Sequence, residues 1–228
     1  MYIFYGVDIL NRIGSMEIFN IIVRAIVLMT ALPIHESAHA YVAAKLGDPT
    51  AKNLGRISLN PLVHLDLFGS VLMLFTGFGW AKPVPVVTRN FKHFKRDSAL
   101  TSLAGPLSNY LLALVLMVVL KIINIISFKA PSMTLYAITQ MLYIMLSINI
   151  SLAVFNMLPI PPLDGSRLYF AFLPGKLYYY VIKYEQYILI VFFALMFFTN
   201  ILSAPLIYLS NKLMLSIDFL TAFLGRIW

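Results

Sequence analysis

Residues 19–44 form a single apolar run interrupted by few polar side chains, and at 1.5 Å per residue that run reaches across a hydrocarbon core of roughly 30 Å. A chain carrying it folds around a membrane-crossing helix. Inside the run stands His35-Glu36-Ser37-Ala38-His39, an H-E-x-x-H motif. Side chains four apart on a helix stack on one face, so both imidazoles can reach one tetrahedral Zn²⁺. Glu36 lies about a quarter turn round, within reach of a water held by such a cation. Ionisable groups at membrane depth are costly and as a rule functional. Three fixed positions also arise by chance, and the competing reading is a histidine pair making polar contacts between packed helices.

Composition agrees with the run. Hydrophobic residues make up 61% of the 228 and charged residues 11%, with a mean hydropathy of +0.86, well above the apolar share of an ordinary soluble domain. The expected fold is an all-α polytopic membrane protein, with room for about five to six crossings of roughly 20 residues and none for a separate soluble domain. One membrane-embedded domain over residues 1–228 follows, with a core over about 16–175 and two further helices over about 176–225. The net charge of +8 sits in loops between apolar segments. The positive-inside rule and anionic lipid account for it, without nucleic acid. With no cysteine in the chain, any metal must be held by histidine and carboxylate.

In chain order, residues 1–15 read as an interfacial lead-in with Tyr2, Phe4 and Tyr5 at headgroup level, not as a cleaved signal peptide. The first crossing covers about 16–46 and stops at Gly47-Asp48-Pro49. Counting back from Leu46 puts His35 and His39 roughly 10–16 Å below that surface. Residues 51–59 and 80–88 read as strands or turns. Between them, 65–76 is apolar for only about a dozen residues, which suits a re-entrant helix capped by Asp66. This 50–88 region is expected to be a small membrane-embedded β region that lines the water path to the metal. Later crossings are expected at 98–126, 135–158, 177–198 and 201–223. The first of these opens on Ser102 to Asn109, small residues that let another helix approach closely. Pro159-Ile160-Pro161-Pro162-Leu163-Asp164-Gly165 cannot continue a helix.

Orientation follows from the cations. With the first crossing running outside to inside, Lys45, Lys52, Arg56, Lys82, Arg89, Lys92, Lys95, Arg96, Arg167, Lys176 and Lys183 are cytoplasmic, and Arg12, Lys121 and Lys129 external. The metal site then faces the cytoplasmic side of the cell membrane. A catalytic Zn²⁺ wants three protein ligands and an open position. Asp164, just past a crossing that ends on the same side, is the third candidate, with helix capping as its competing role. His64 and His93 compete by residue type but lie in surface-like segments.

These residues carry a resemblance. His35-Glu36-Ser37-Ala38-His39, the Gly105-Pro106-Leu107-Ser108-Asn109 stretch, and Asn156 through Pro159 and Pro162 to Asp164-Gly165 resemble the three motifs of the site-2 protease family of intramembrane zinc metalloproteases. The segment Gly79-Trp80-Ala81-Lys82-Pro83-Val84-Pro85-Val86 is similar to the membrane-embedded strand of its short, single-domain members, without a PDZ-like or cystathionine-synthase-like insertion. The resemblance implies one Zn²⁺ held by His35, His39 and Asp164, with Glu36 as general base. It implies Asn156 and Asn109 as substrate or transition-state contacts. An extended transmembrane protein substrate is then expected to pair with the edge at Trp80, Lys82, Val84 and Val86. A membrane zinc transporter is the alternative, but the His-Asn-x-x-Asp partner motif it would need is not in the chain.

Overall fold

The computed structural model describes residues 15–76 and 79–226; the N-terminal lead-in and Gly77-Phe78 lie outside them. Helix α1 spans Ser15–Leu46 and continues through Pro33. It ends where expected, because Gly47 takes a φ of +113° that only glycine adopts without strain, and Pro49 follows. The buried Asp48 carboxylate then ties down the excursion that follows. It accepts from Thr50 N–H (3.2 Å) and Oγ (2.5 Å), from Val87 N–H (2.7 Å) and from Asn90 Nδ2 (2.8 Å). Burial alone would push this carboxyl up, but those hydrogen bonds outweigh it and hold it below the usual carboxylate range.

Within the excursion, α2 (Thr50–Asn53) is one helical turn where strand or turn was expected. Helix α3 (Leu67–Thr76) has ten residues and is too short to span. Asp66 accepts from Gly69 N–H at 2.9 Å, the expected cap. At the other end Arg24 of α1 donates to the Leu74 and Phe75 carbonyls at 3.1 and 3.3 Å, a cation on the negative end of the helix dipole. The chain then returns directly over Gly69, where an added Cβ would lie 2.2 Å from the Trp80 carbonyl oxygen. Residues 79–87 form no regular element and no β-ladder occurs among the described residues, which corrects the expected β region. Pro83 and Pro85 have no N–H to give a ladder. The Lys82 and Val84 N–H groups go instead to the His64 carbonyl (2.9 Å) and to Glu36 (3.0 Å).

The scaffold proper is made by α4 (Phe94–Lys129) and α5 (Met133–Asn156), with α4 packed against α1, α5 and the short α6 (Asp164–Phe170). Their core interdigitates Val23, Val27, Ala113, Leu146 and Ile150, all essentially inaccessible. Helix α9 (Ser203–Leu220) closes it with Leu206 and Ile217. The crossing expected over 177–198 is broken. Helices α7 (Gly175–Lys183) and α8 (Glu185–Phe198) meet at 65° around Tyr184. Lys183 and Glu185 flank that joint, and a straight span would carry both charges toward the hydrocarbon. Among the described residues three helices are long and apolar enough to cross a membrane, or four if the bent pair is one span. The described residues are thus all-helical in a membrane-type architecture, with three or four candidate spans beside the five to six expected.

Candidate active site

The site lies between α1 and α4, which face each other along a stripe of residues spaced four apart. On α1 these are His35 and His39; on α4 they are Thr101, Gly105 and Asn109. Each contact in the stripe acts on an imidazole. The Thr101 carbonyl accepts from His39 Nδ1–H at 2.7 Å, which orients the ring so that Nε2 is the nitrogen able to face a cation. Asn109 is 1% exposed and its side-chain amide lies 3.2 Å from His35 Nδ1. An imidazole that binds a cation through Nε2 carries its proton on Nδ1 and needs an acceptor there. Turning the Asn109 amide over supplies that acceptor, Oδ1, which otherwise lies buried without a partner. Asn109, expected against substrate, is thus engaged with a histidine. Asn109→Ala should weaken metal binding by about 10–100-fold in a chelator competition.

Asp164 arrives from the far side. The turn at 159–163 brings α6 against the end of α5 so closely that a Cβ on Gly165 would lie 2.3 Å from the Met157 carbonyl oxygen. Glycine at 165 is therefore required for the carboxylate beside it to reach the histidines. Asp164 Oδ2 lies 3.2 Å from His35 Nε2 and 3.2 Å from His39 Nε2, which are 3.1 Å from each other. Three electron-rich atoms face one another here, and Oδ2 is buried with no donor aimed at it.

That arrangement fits a divalent cation. Ligand distances of roughly 2.0–2.1 Å around tetrahedral Zn²⁺ ask for neighbouring ligand atoms about 3.3–3.4 Å apart, close to the triangle observed. The donor set of two imidazoles and one carboxylate suits zinc. Among the described residues, His35, His39 and Asp164 form the group able to hold a metal.

Glu36 is 9% exposed and its Oε2 accepts from Val84 N–H at 3.0 Å, so the 79–87 segment comes to the site. It comes, however, with its peptide groups already engaged. The N–H groups of Lys82 and Val84, two of the four residues expected to pair with substrate, have intramolecular acceptors. Trp80 packs on Gly69. Asn156 donates from Nδ2 to the Leu152 carbonyl of its own helix at 3.0 Å. His64, read as surface-like, is fully buried and its Nε2 lies 2.8 Å from the Ser58 carbonyl. Neither it nor His93 belongs to the metal-ligand group.

Sequence reasoning missed Thr101, whose carbonyl carries no side-chain signature, and treated Gly105 as a general small residue. The Thr101, Gly105, Asn109 spacing on an apolar helix was the available signal.

Comparison with known proteins gives one family. The family model described as peptidase family M50 matches residues 23–199. YwhC of Bacillus subtilis strain 168 is 41% identical over 170 residues, covering 75% of this chain and 78% of that protein. MJ0611 of Methanocaldococcus jannaschii is 32% identical over 154 residues, 68% of this chain and 72% of the relative. Rip2 of Mycolicibacterium smegmatis is 26% identical over 162 residues, 69% and 59% respectively. All three carry provisional names as zinc metalloproteases. No solved structure matches the chain.

Proposed function

The chain belongs to peptidase family M50, the site-2 protease family, and from this we propose that it is a zinc-dependent intramembrane endopeptidase. Its substrate would be a peptide bond in or near a transmembrane segment of another membrane protein. The single observation that carries the reading is the triangle of His35 Nε2, His39 Nε2 and Asp164 Oδ2 with edges of 3.1–3.2 Å. These three side chains would hold the metal.

Zn²⁺ bound there supplies Lewis acidity toward a water and toward the scissile carbonyl. Glu36 does the proton work. Its Oε2 is fixed by Val84 N–H, so Oε1 is the oxygen able to take a proton from the attacking water and return it to the leaving amine. His39 and His35 are oriented through Thr101 and Asn109. Asn156 would steady the developing oxyanion if it exchanged its bond to Leu152. A helical substrate hides its carbonyls in its own backbone bonds and must unwind locally. An extended substrate would lie along 80–86, pairing through edge groups other than the engaged Lys82 and Val84 N–H.

The distribution of cations supports a multi-pass protein of the cell membrane with this site toward the cytoplasm. We assign one domain, with a catalytic core over about 16–175 and gating helices over about 176–225. Purified protein is expected to contain one zinc per chain. Removing it with a chelator should end cleavage of a transmembrane reporter, and zinc should restore it. Metal-free protein that cleaves the reporter would overturn the reading.

A further inference from the structure

Arg56 is a buried cation, 6% exposed, that forms no ion pair among the described residues. Burying an unpaired guanidinium is costly unless hydrogen bonds compensate. Here three backbone carbonyls do. Arg56 donates to Val63, to Lys82 at 3.2 Å and to Pro83 at 2.8 Å. Gly55, at φ +68°, turns the chain inward, and the Arg56 N–H is anchored on the Ala51 carbonyl at 2.9 Å.

The Pro83 carbonyl and the Val84 N–H belong to the same peptide unit. That unit is planar and rigid, and since the one cis bond among the described residues is Pro161-Pro162, it is trans. Its oxygen and its N–H therefore point in opposite directions. The oxygen receives Arg56 at 2.8 Å, and the N–H reaches Glu36 Oε2 at 3.0 Å. A cation on the oxygen also polarises the amide and strengthens its N–H as a donor. Neither neighbour can substitute, because Pro83 and Pro85 have no N–H. A second brace holds the same segment, from Lys82 N–H to the carbonyl of His64 at 2.9 Å.

We infer that Arg56 is a positioning residue for the hydrolysis: through the Pro83–Val84 peptide it aims and holds the Glu36 carboxylate. This rests on the proposed function, since it assigns Glu36 the proton transfer. The bonds of Arg56 go to backbone carbonyls and to none of the metal ligands. Its effect belongs in the chemical step.

The test is a double-mutant cycle on the full chain in detergent or liposomes, using cleavage of a transmembrane reporter with zinc content and thermal melting measured on every variant. Arg56→Gln removes the cation from the carbonyl. Val84→Pro removes the N–H and leaves the Lys82 and Pro83 carbonyls in place. Each is expected to lower kcat by about 10-fold or more with the one bound zinc unchanged, in line with the sensitivity of catalysis to small misplacements. Val84 lies in the segment proposed to carry substrate, so the KM comparison is read on Arg56→Gln, which should leave it within about 2-fold. Arg56→Lys, able to reach fewer carbonyls, should fall between wild type and Arg56→Gln. Because both changes act on one bond to Glu36, the double variant should be no slower than the slower single within about 2-fold.

Multiplicative losses in the double variant would overturn the inference. So would loss of zinc or a collapsed melt in both Arg56 variants, which would make Arg56 a structural residue. Wild-type protein that cleaves, with Arg56→Gln equally fast, defeats this inference and leaves the proposed function standing. Wild-type protein that holds zinc and cleaves nothing defeats both.

Discussion

Glu36→Gln is expected to abolish cleavage of a transmembrane reporter, lowering kcat by about 10²–10⁴-fold, while the protein keeps its zinc. Glutamine is nearly the same shape and its Oε1 can still accept from Val84 N–H, the bond that holds Glu36 at 3.0 Å. What it cannot do is take a proton from water at neutral pH. Glu36 is also absent from the ligand triangle, so the metal has no reason to leave. Asp164→Ala provides the contrast. It removes the oxygen that lies 3.2 Å from each imidazole nitrogen, so zinc and cleavage should be lost together. Measuring metal content beside cleavage separates the two cases. Cleavage retained by Glu36→Gln would assign proton transfer to some other group.

Gly105→Ala is the second large effect, from one added methyl group. A Cβ at that position would sit 2.3 Å from His39 Nε2 and 2.6 Å from His35 Nε2. Such separations do not occur between non-bonded atoms, so α4 must back away from α1 or the rings must turn. Either opens the triangle that a tetrahedral cation needs. The expected result is less than one zinc per chain and cleavage slower by about 10²-fold or more. Helix propensity pulls the other way, since alanine in a helix interior is favoured over glycine by roughly 0.5–1 kcal/mol. A melt that holds steady while zinc is lost would separate the site from the fold. Full zinc occupancy with a wild-type rate would mean that α4 does not pack on the histidines as described.

Much of this was legible beforehand. The long helices were predictable because an apolar run of sufficient length has one solution in a bilayer, a helix that satisfies its own backbone. The stop at Gly47, the cap at Asp66 and the break at Pro159 are chemistries of one or two residues. Less visible was the 50–88 region. Its prolines and β-branched residues suggest strands, yet a ladder requires a partner with free groups, and here Arg56, His64 and Glu36 take them. The bend at Tyr184 was hidden in the same way, because hydropathy averaged over a window does not register two flanking charges.

The linear chain on its own determined that His35 and His39 share a helix face, because the helical period sets that relation whatever surrounds it. It determined also that α1 is apolar enough to enter a membrane. Only the tertiary structure decided that Gly105 lies against both imidazoles, that Asn109 turns to His35 and that a peptide held by Arg56 bonds to Glu36. Those relations join residues dozens of positions apart. They arise from how closely helices and returning backbone pack, which depends on the absence of a side chain in one place and the direction of a carbonyl in another.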